Sequence, residues 1–202
     1  MATVGRVVIL NDAPRSGKSS IARAMQDHVP GVWLNLGVDR FKHATPQRFQ
    51  PGIGLRPGGE RPDLEPLVAT LWTALYESVA AHARLGVDVV VDAVHHDDYS
   101  VPLGILPAAA RTLHDLPVLL VGVRCPVDVV RARRRETWGG AGYRREGTVV
   151  DPVERWQRAV HTPGRYDLEV DTALLSPDEC ADRIAHRLRY GPPPAAMRRL
   201  AD

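Results

Sequence analysis

The clearest chemical signal in the chain is Gly17-Lys18-Ser19, which closes a turn between the apolar run 6–11 and a helical stretch from Ser20. A strand that enters a turn ending in Gly-Lys-Ser and opens a helix is typical of a phosphate-binding loop. Successive backbone N–H groups and the positive end of the helix dipole hold phosphate oxygens in such loops. The predicted nucleotide-binding residues are Asp12, Ala13, Pro14, Arg15, Ser16, Gly17, Lys18, Ser19 and Ser20.

Individual residues of this loop have separate expected roles. Gly17 leaves the backbone open to phosphate, Lys18 would reach the β- and γ-phosphates, and the Ser19 hydroxyl would bind Mg²⁺. Asp12 stands four residues before Ser16, where such loops carry their first glycine. Aspartate tolerates positive φ, but its charge beside a polyphosphate requires the carboxylate to point away. The alternative is an unrelated turn in which Gly-Lys-Ser occurs by coincidence.

The basic residues are strongly biased, because 24 are arginines and only Lys18 and Lys42 are lysines. An ammonium is compact and flexible, whereas a guanidinium is planar. A lysine in so arginine-rich a chain therefore indicates a position where a guanidinium cannot replace an ammonium. Lys18 occupies such a position in the phosphate loop.

Two acids follow apolar runs and are candidates for catalysis and metal binding. Asp39 could take the proton from a hydroxyl that attacks the γ-phosphate, or it could cap a short helix beginning at Arg40. Asp92 could hold Mg²⁺ through a water or orient Lys18, and a cap or loop role is its alternative. The next polar run, His95-His96-Asp97-Asp98, favours a polar loop near the acceptor over a metal site, because adjacent residues cannot all face one ion.

Residues 131–147 form a segment in which six arginines outnumber the two acids, Glu136 and Glu146. In a phosphate-transfer enzyme, such a segment forms a mobile lid that spreads positive charge over the transferred group. We take Arg133 and Arg135 as its catalytic candidates. A solvated helix face is one alternative, and nucleic-acid binding is disfavoured because the net charge is only +2. The arginines are Arg131, Arg133, Arg134, Arg135, Arg144 and Arg145.

Short β-branched runs alternate with longer stretches of helical period, which predicts an α/β fold with a parallel sheet between helical layers. The runs are apolar on both faces, as buried strands require. Ser176-Pro-Asp-Glu179 predicts a capped helix start, and the proline- and glycine-rich segment 46–62 is a candidate binding loop. The predicted strands are Arg6–Asn11, Val32–Leu36, Val87–Asp92, Pro117–Arg124 and Leu168–Asp171.

Length and composition place the chain among compact globular proteins. Its 202 residues are 44% apolar and 25% charged, which argues against a disordered or disulfide-stapled protein. Two cysteines match no zinc spacing, and no run reaches the length of a membrane span or a signal peptide, so we expect a cytoplasmic protein. We expect one domain over residues 1–190 and a loosely ordered tail over 191–202.

These residues resemble the chloramphenicol phosphotransferase-like family of small P-loop kinases. The resemblance extends from Val7 to about Leu188. In this sequence, Asp12 replaces the first loop glycine, and Ala93 stands where the named member has a second acid. The matching stretches are Ile9–Asn11, Ser16–Ser19, Trp33–Leu34, Gly37–Asp39, Val89–Asp92, Val121–Cys125, Val160–His161, Tyr166–Thr172 and Ser176–Ala181.

The resemblance implies a three-layer P-loop kinase fold and ATP- and Mg²⁺-dependent phosphorylation of a hydroxyl on a small molecule, in the named member an antibiotic. It also implies that Asp39 is the general base. The alternatives are a kinase of a metabolite or nucleoside and a nucleotide-binding regulator without catalysis. We expect no nucleic-acid or membrane partner, and the sequence leaves assembly into a homo-oligomer open.

Overall fold

The computed structural model describes residues 4–138 and 152–201, which contain a five-stranded parallel sheet in the order β2-β3-β1-β4-β5. The predicted fold class is therefore confirmed, and each predicted strand lies within one or two residues of an observed one. The strands are β1 (Val7–Asn11), β2 (Trp33–Asn35), β3 (Asp88–Ala93), β4 (Val118–Arg124) and β5 (Leu168–Asp171).

Helices connect the strands and cover both faces of the sheet. Segment 46–62 follows the second helix and contains two short 3-10 helices, Gln47–Phe49 and Gly52–Gly54. The helices are α1 (Lys18–His28), α2 (Val38–Ala44), α3 (Glu65–Arg84), α4 (Ile105–Thr112), α5 (Val127–Trp138), α6 (Pro152–Val160), α7 (Pro177–Tyr190) and α8 (Arg198–Ala201). In the described parts of the chain, none of them combines the length and the apolarity that a bilayer crossing needs.

Alternation along the buried strands divides the core into two layers. In β1, Val7 and Ile9 face the cluster beneath α3 and α4, whereas Val8 and Leu10 face the cluster beneath α1 and α7. Successive side chains of a strand point to opposite faces, so a run that is apolar throughout fits only a sheet covered on both sides. The central position of β1 brings the turn that follows it to the middle of the sheet edge.

The predicted start of the last long helix is confirmed. The Ser176 hydroxyl accepts a hydrogen bond from the Glu179 N–H, and the Glu179 carboxylate accepts one from the Ser176 N–H. This capping box satisfies two N–H groups that the helix itself leaves unpaired.

The C-terminal segment differs from its expected loose order, since it is packed through Ala201. Ala196 and Met197 are buried in the cluster beneath α3 and α4. The Asp167 carboxylate accepts hydrogen bonds from the N–H groups of Ala195 and Ala196 at 2.7 and 3.0 Å. The proline run before these residues only extends the backbone. The Asp167 carboxylate and the buried Met197 side chain hold the segment in place.

This packing predicts that Met197→Ala lowers the free energy of unfolding by about 2–3 kcal/mol, because it leaves a cavity in the core. Arg199→Ala, at an exposed neighbouring position, should change it by less than about 0.5 kcal/mol. Denaturant titration of both variants measures the difference. Equal stability of the two variants would show that the segment contributes nothing to the core.

Candidate active site

Nine of the thirteen predicted site residues line one cavity of about 550 Å³ at the carboxyl edge of the sheet, whereas Asp12, Ala13, Ser16 and Arg135 do not line it. In open parallel sheets, ligands bind outside this edge because the loops and helix starts gather there. The predicted residues that line the cavity are Pro14, Arg15, Gly17, Lys18, Ser19, Ser20, Asp39, Asp92 and Arg133.

The turn between β1 and α1 ends at Gly17, beside the cavity. Gly17 immediately precedes α1 with a φ of 104°, in the left-handed region that favours glycine. A Cβ atom built on Gly17 would lie 3.3 Å from Thr172 Cγ2. The loop N–H groups and the start of an eleven-residue helix thus lie beside the open cavity.

Asp92, at the end of β3, contacts both polar side chains that open α1. The Ser19 hydroxyl donates a hydrogen bond to Asp92 Oδ2 at 2.5 Å, and Lys18 Nζ lies 3.7 Å from Asp92 Oδ1. Lys18 is buried and also donates to the Ala13 carbonyl at 2.8 Å. The loop lysine is therefore held beside the cavity by oxygen acceptors, and Asp92 has contacts beyond those of a simple cap.

Ser19 and Asp92 fit a magnesium ion. A hydroxyl and a carboxylate are hard oxygen donors, which is the ligand type Mg²⁺ takes when it binds together with substrate phosphates. Their direct hydrogen bond places both donors at the same point of the cavity wall, next to Lys18.

Asp39 lies in the first turn of α2, whose N-cap is Gly37. The helix begins at Val38, so the alternative in which Asp39 caps a helix starting at Arg40 does not match the structure. Asp39 is exposed and lines the cavity. Gly37 sets this position, because a Cβ atom there would lie 2.9 Å from the Cβ of Asp92.

Asp12 is fully buried and is absent from the cavity lining, so its carboxylate does point away from the phosphate-binding space. Its Oδ1 accepts a hydrogen bond from the Ala13 N–H at 2.5 Å and lies 3.1 Å from His161 Nε2. Among the described residues, Arg15 is the one non-glycine residue with positive φ. The turn at Asp12 therefore needs no glycine, which explains how an aspartate fits there.

His161 belongs to a buried hydrogen-bond network that sequence reasoning did not single out as functional, although the Val160-His161 pair lies in a family-like stretch. His161 Nδ1 and the Tyr166 hydroxyl are 2.7 Å apart. Asn11 Nδ2 donates to the Val160 carbonyl at 2.8 Å and to the Tyr166 hydroxyl at 3.2 Å. Burial raises the pKa of Tyr166 to about 12, so its hydroxyl stays protonated at neutral pH. The network joins β1 and the phosphate loop to the segment after α6.

The arginine segment divides into two kinds of position. Arg133 lines the cavity and donates to the Ser16 carbonyl at 3.1 Å and to the Thr172 carbonyl at 2.7 Å, which ties α5 to the phosphate loop. Arg135 is exposed and does not line the cavity. Arg144 and Arg145, and with them the second half of the predicted lid, lie outside the described residues.

In the polar run after β3, His95 and His96 are buried, Asp97 is exposed and Asp98 is half-buried. Burial lowers the pKa of His95 to about 3, with a smaller effect from His96, so its ring is neutral at physiological pH. His95 Nε2 shares a hydrogen bond with the Tyr76 hydroxyl, and His96 Nε2 contacts the Leu55 carbonyl at 3.0 Å. Within residues 4–138 and 152–201, no three or more His, Cys, Asp and Glu side chains are grouped as a metal site.

A second group of lining residues, here called the apolar wall, is largely apolar. It comes from α2, from segment 46–62, from the residue after β3 and from α6. Segment 46–62 thus contributes to the cavity, where the sequence predicts a binding loop. The residues of this wall are Val38, Lys42, Ile53, Gly54, Leu55, Val94 and Trp156.

A parallel sheet, a phosphate loop after its central strand and an acid at the next strand end define a P-loop kinase fold. The chain belongs to the chloramphenicol phosphotransferase-like family, whose model matches residues 5–189. A relative from Mycobacterium tuberculosis strain H37Rv is 27% identical over 214 residues, which cover 97% of this chain and 88% of the relative. That relative is provisionally named an O-phosphotransferase. These matches place the chain among phosphotransferases of the P-loop kinase type.

Solved structures agree on the fold. The APS kinase of Mycobacterium tuberculosis, solved in complex with AMPPNP and APS, has a TM-score of 0.61 at 19% identity, covering 90% of this chain and 95% of that chain. A tunicamycin resistance protein from Deinococcus radiodurans has a TM-score of 0.57 at 20% identity, covering 92% of this chain and 96% of that chain.

The Asp12–His161 contact predicts a strong energetic coupling between the two side chains. His161→Ala should lower the free energy of unfolding by about 2 kcal/mol, because it strips the buried carboxylate of a partner. The effect should shrink by about 1 kcal/mol or more when Asp12 is already alanine. Denaturant titration of the two single variants and the double variant measures the coupling.

The matched control is His43→Ala, at an exposed histidine, which should be near neutral in both backgrounds. Strict additivity of Asp12→Ala and His161→Ala would contradict the pairing.

Proposed function

We propose that the protein transfers the γ-phosphoryl group of ATP to a hydroxyl group of a small molecule. The observation that carries this proposal is the shared cavity of Lys18, the Ser19–Asp92 pair and the exposed Asp39 carboxylate. Phosphoryl transfer needs positioned phosphate, charge stabilisation and a group that accepts the proton of the attacking hydroxyl. Each of these requirements has a residue on the cavity wall.

On the nucleotide side, the loop N–H groups and Lys18 bind the β- and γ-phosphates. The Lys18 ammonium is already beside the cavity and exchanges its contact with the Ala13 carbonyl for phosphate oxygens. Ser19 and Asp92 hold Mg²⁺, which when bound neutralises charge that develops on the phosphates. Arg133 reinforces this side through its bonds to the Ser16 and Thr172 carbonyls.

On the acceptor side, Asp39 orients the hydroxyl and accepts its proton. A bond forms between the hydroxyl oxygen and the γ-phosphorus, the bond from that phosphorus to the β–γ bridging oxygen breaks, and ADP leaves. The exposure of Asp39 suits this role, because an exposed carboxylate is reachable by a ligand and is not occupied by a buried partner.

We propose an antibiotic or a related natural product as the acceptor. The family is named for phosphotransfer to chloramphenicol, and one protein of similar fold is named for tunicamycin resistance. The apolar acceptor wall suits a molecule with an apolar body and a few hydroxyls. The need for ATP favours the cytoplasm as the compartment.

The experiment is a magnesium-dependent ADP-release assay with a panel of hydroxylated antibiotics and metabolites, including chloramphenicol. Asp39→Asn should reduce turnover of the stimulating compound by at least about 100-fold, the typical contribution of a general base. It should keep the rise in melting temperature that ATP causes, because Asp39 lies outside the phosphate loop.

Lys18→Ala is the reference variant, and it should lose both turnover and the ATP-dependent rise in melting temperature. If the Asp39→Asn variant keeps full turnover, Asp39 is not the general base. A natural chain that binds ATP and releases no ADP with any compound would instead support a nucleotide-binding regulator.

A further inference from the structure

Lys42 is the second of only two lysines among 26 basic residues, and the phosphate chemistry does not use it. It lies in α2, is half-buried and lines the cavity. Among residues 4–138 and 152–201, no carboxylate forms an ion pair with it, whereas Lys18 has Asp92. Lys42 thus stands in the cavity wall with no ionic partner among those residues. An anionic group of a ligand in the cavity would supply one.

The position of Lys42 relative to Asp39 is fixed by the helix. Residues three apart lie on the same face of a helix, with Cβ atoms about 5–6 Å apart. The stem of Lys42 runs along segment 46–62, since a Cβ atom built on Gly54 would lie 3.9 Å from Lys42 Cδ and 3.9 Å from Val38 Cγ1. Lys42 therefore leaves α2 about one helical turn from Asp39, the residue that would face the acceptor hydroxyl.

The rest of this wall is apolar and includes an aromatic ring. Ile53 and Leu55 come from segment 46–62 and are almost fully buried, and Trp156 from α6 is 5% exposed. Aromatic and aliphatic walls with one placed charge are typical of small-molecule pockets, where the apolar surface provides affinity and the charge provides orientation.

We propose that Lys42 binds a carboxylate of the acceptor and thereby selects an acidic, hydroxylated molecule with an apolar body. This inference rests on the proposed function, because it identifies the Asp39 side of the cavity as the acceptor site. One ammonium compensates about one unit of charge, which matches a carboxylate better than a phosphomonoester with nearly two. A positive charge here also offsets the repulsion that Asp39 and Asp92 exert on an anionic acceptor.

The test compares hydroxymethyl-substituted benzoates and phenylacetates with their methyl esters, primary amides and phosphomonoester analogues. Binding is measured by calorimetry on the full chain with AMPPNP and Mg²⁺, and turnover by ADP release. The acids should bind at least about tenfold more tightly than their esters, the size expected for a hydrogen bond to a charged group. Chloramphenicol, which has hydroxyls and no net charge, is a neutral reference.

Lys42→Met keeps the length of the stem and removes the charge, so it should weaken binding of the acids about tenfold or more and leave the esters and chloramphenicol unchanged. Lys42→Arg should restore part of the preference. The matched control is Arg40→Met, which removes one positive charge from an exposed position of the same helix that does not line the cavity. It should leave the preference for acids intact.

The outcomes separate this inference from the proposed function. Equal binding of acids and esters, stronger binding of the phosphomonoesters, or an equal loss for all ligands in Lys42→Met would overturn the carboxylate assignment. The last result would indicate that Lys42 acts on Asp39 or on the nucleotide. Binding of acids that depends on Lys42 but never leads to ADP release would support a carboxylate site at Lys42 and count against phosphoryl transfer to these acids.

Discussion

The site depends on the contacts of the Asp92 carboxylate, because they join the end of β3 to the start of α1. The carboxylate accepts the Ser19 hydrogen bond at 2.5 Å and stands 3.7 Å from the Lys18 ammonium. Gly37 packs against the Asp92 backbone and Cβ, so the same residue also fixes where α2 begins and where Asp39 stands. The residues proposed to bind phosphate and the residue proposed to accept the proton thus share one structural reference point, and a shift of β3 would displace both.

The phosphate loop shows how a missing glycine is accommodated. Asp12 adopts a backbone without positive φ, and its buried carboxylate is directed to the Ala13 N–H and to His161. Two consequences follow from this arrangement. The negative charge is kept out of the cavity, and the loop gains an attachment to the segment after α6. Where such loops carry a small glycine, this chain carries an aspartate whose side chain has fixed partners.

The sequence predicts well what is decided locally. The strands, the phosphate loop and the Ser176 cap follow from short patterns whose physical meaning does not depend on distant residues. It predicts poorly what depends on long-range contacts. His161 is distant in sequence from Asp12, and Asp167 fixes a C-terminal segment whose prolines by themselves indicate loose order. Asp39 is an intermediate case for prediction. The sequence around it fits either a helix cap or a general base, and the observed start of α2 at Val38 excludes the cap.

The two halves of the cavity differ in how tightly they are built, and this difference bears on specificity. The phosphate side is formed by buried or multiply bonded residues such as Lys18 and Arg133, whose contacts reach across the sheet edge. The acceptor side is formed by a seven-residue helix and by the loop segment 46–62. Asp39 and Lys42 lie outside the buried core, whereas Val38, Ile53 and Leu55 of the same side belong to it. The seven-residue α2 can therefore carry the proposed proton acceptor, Asp39, and, one turn further, the residue proposed to select the acceptor, Lys42.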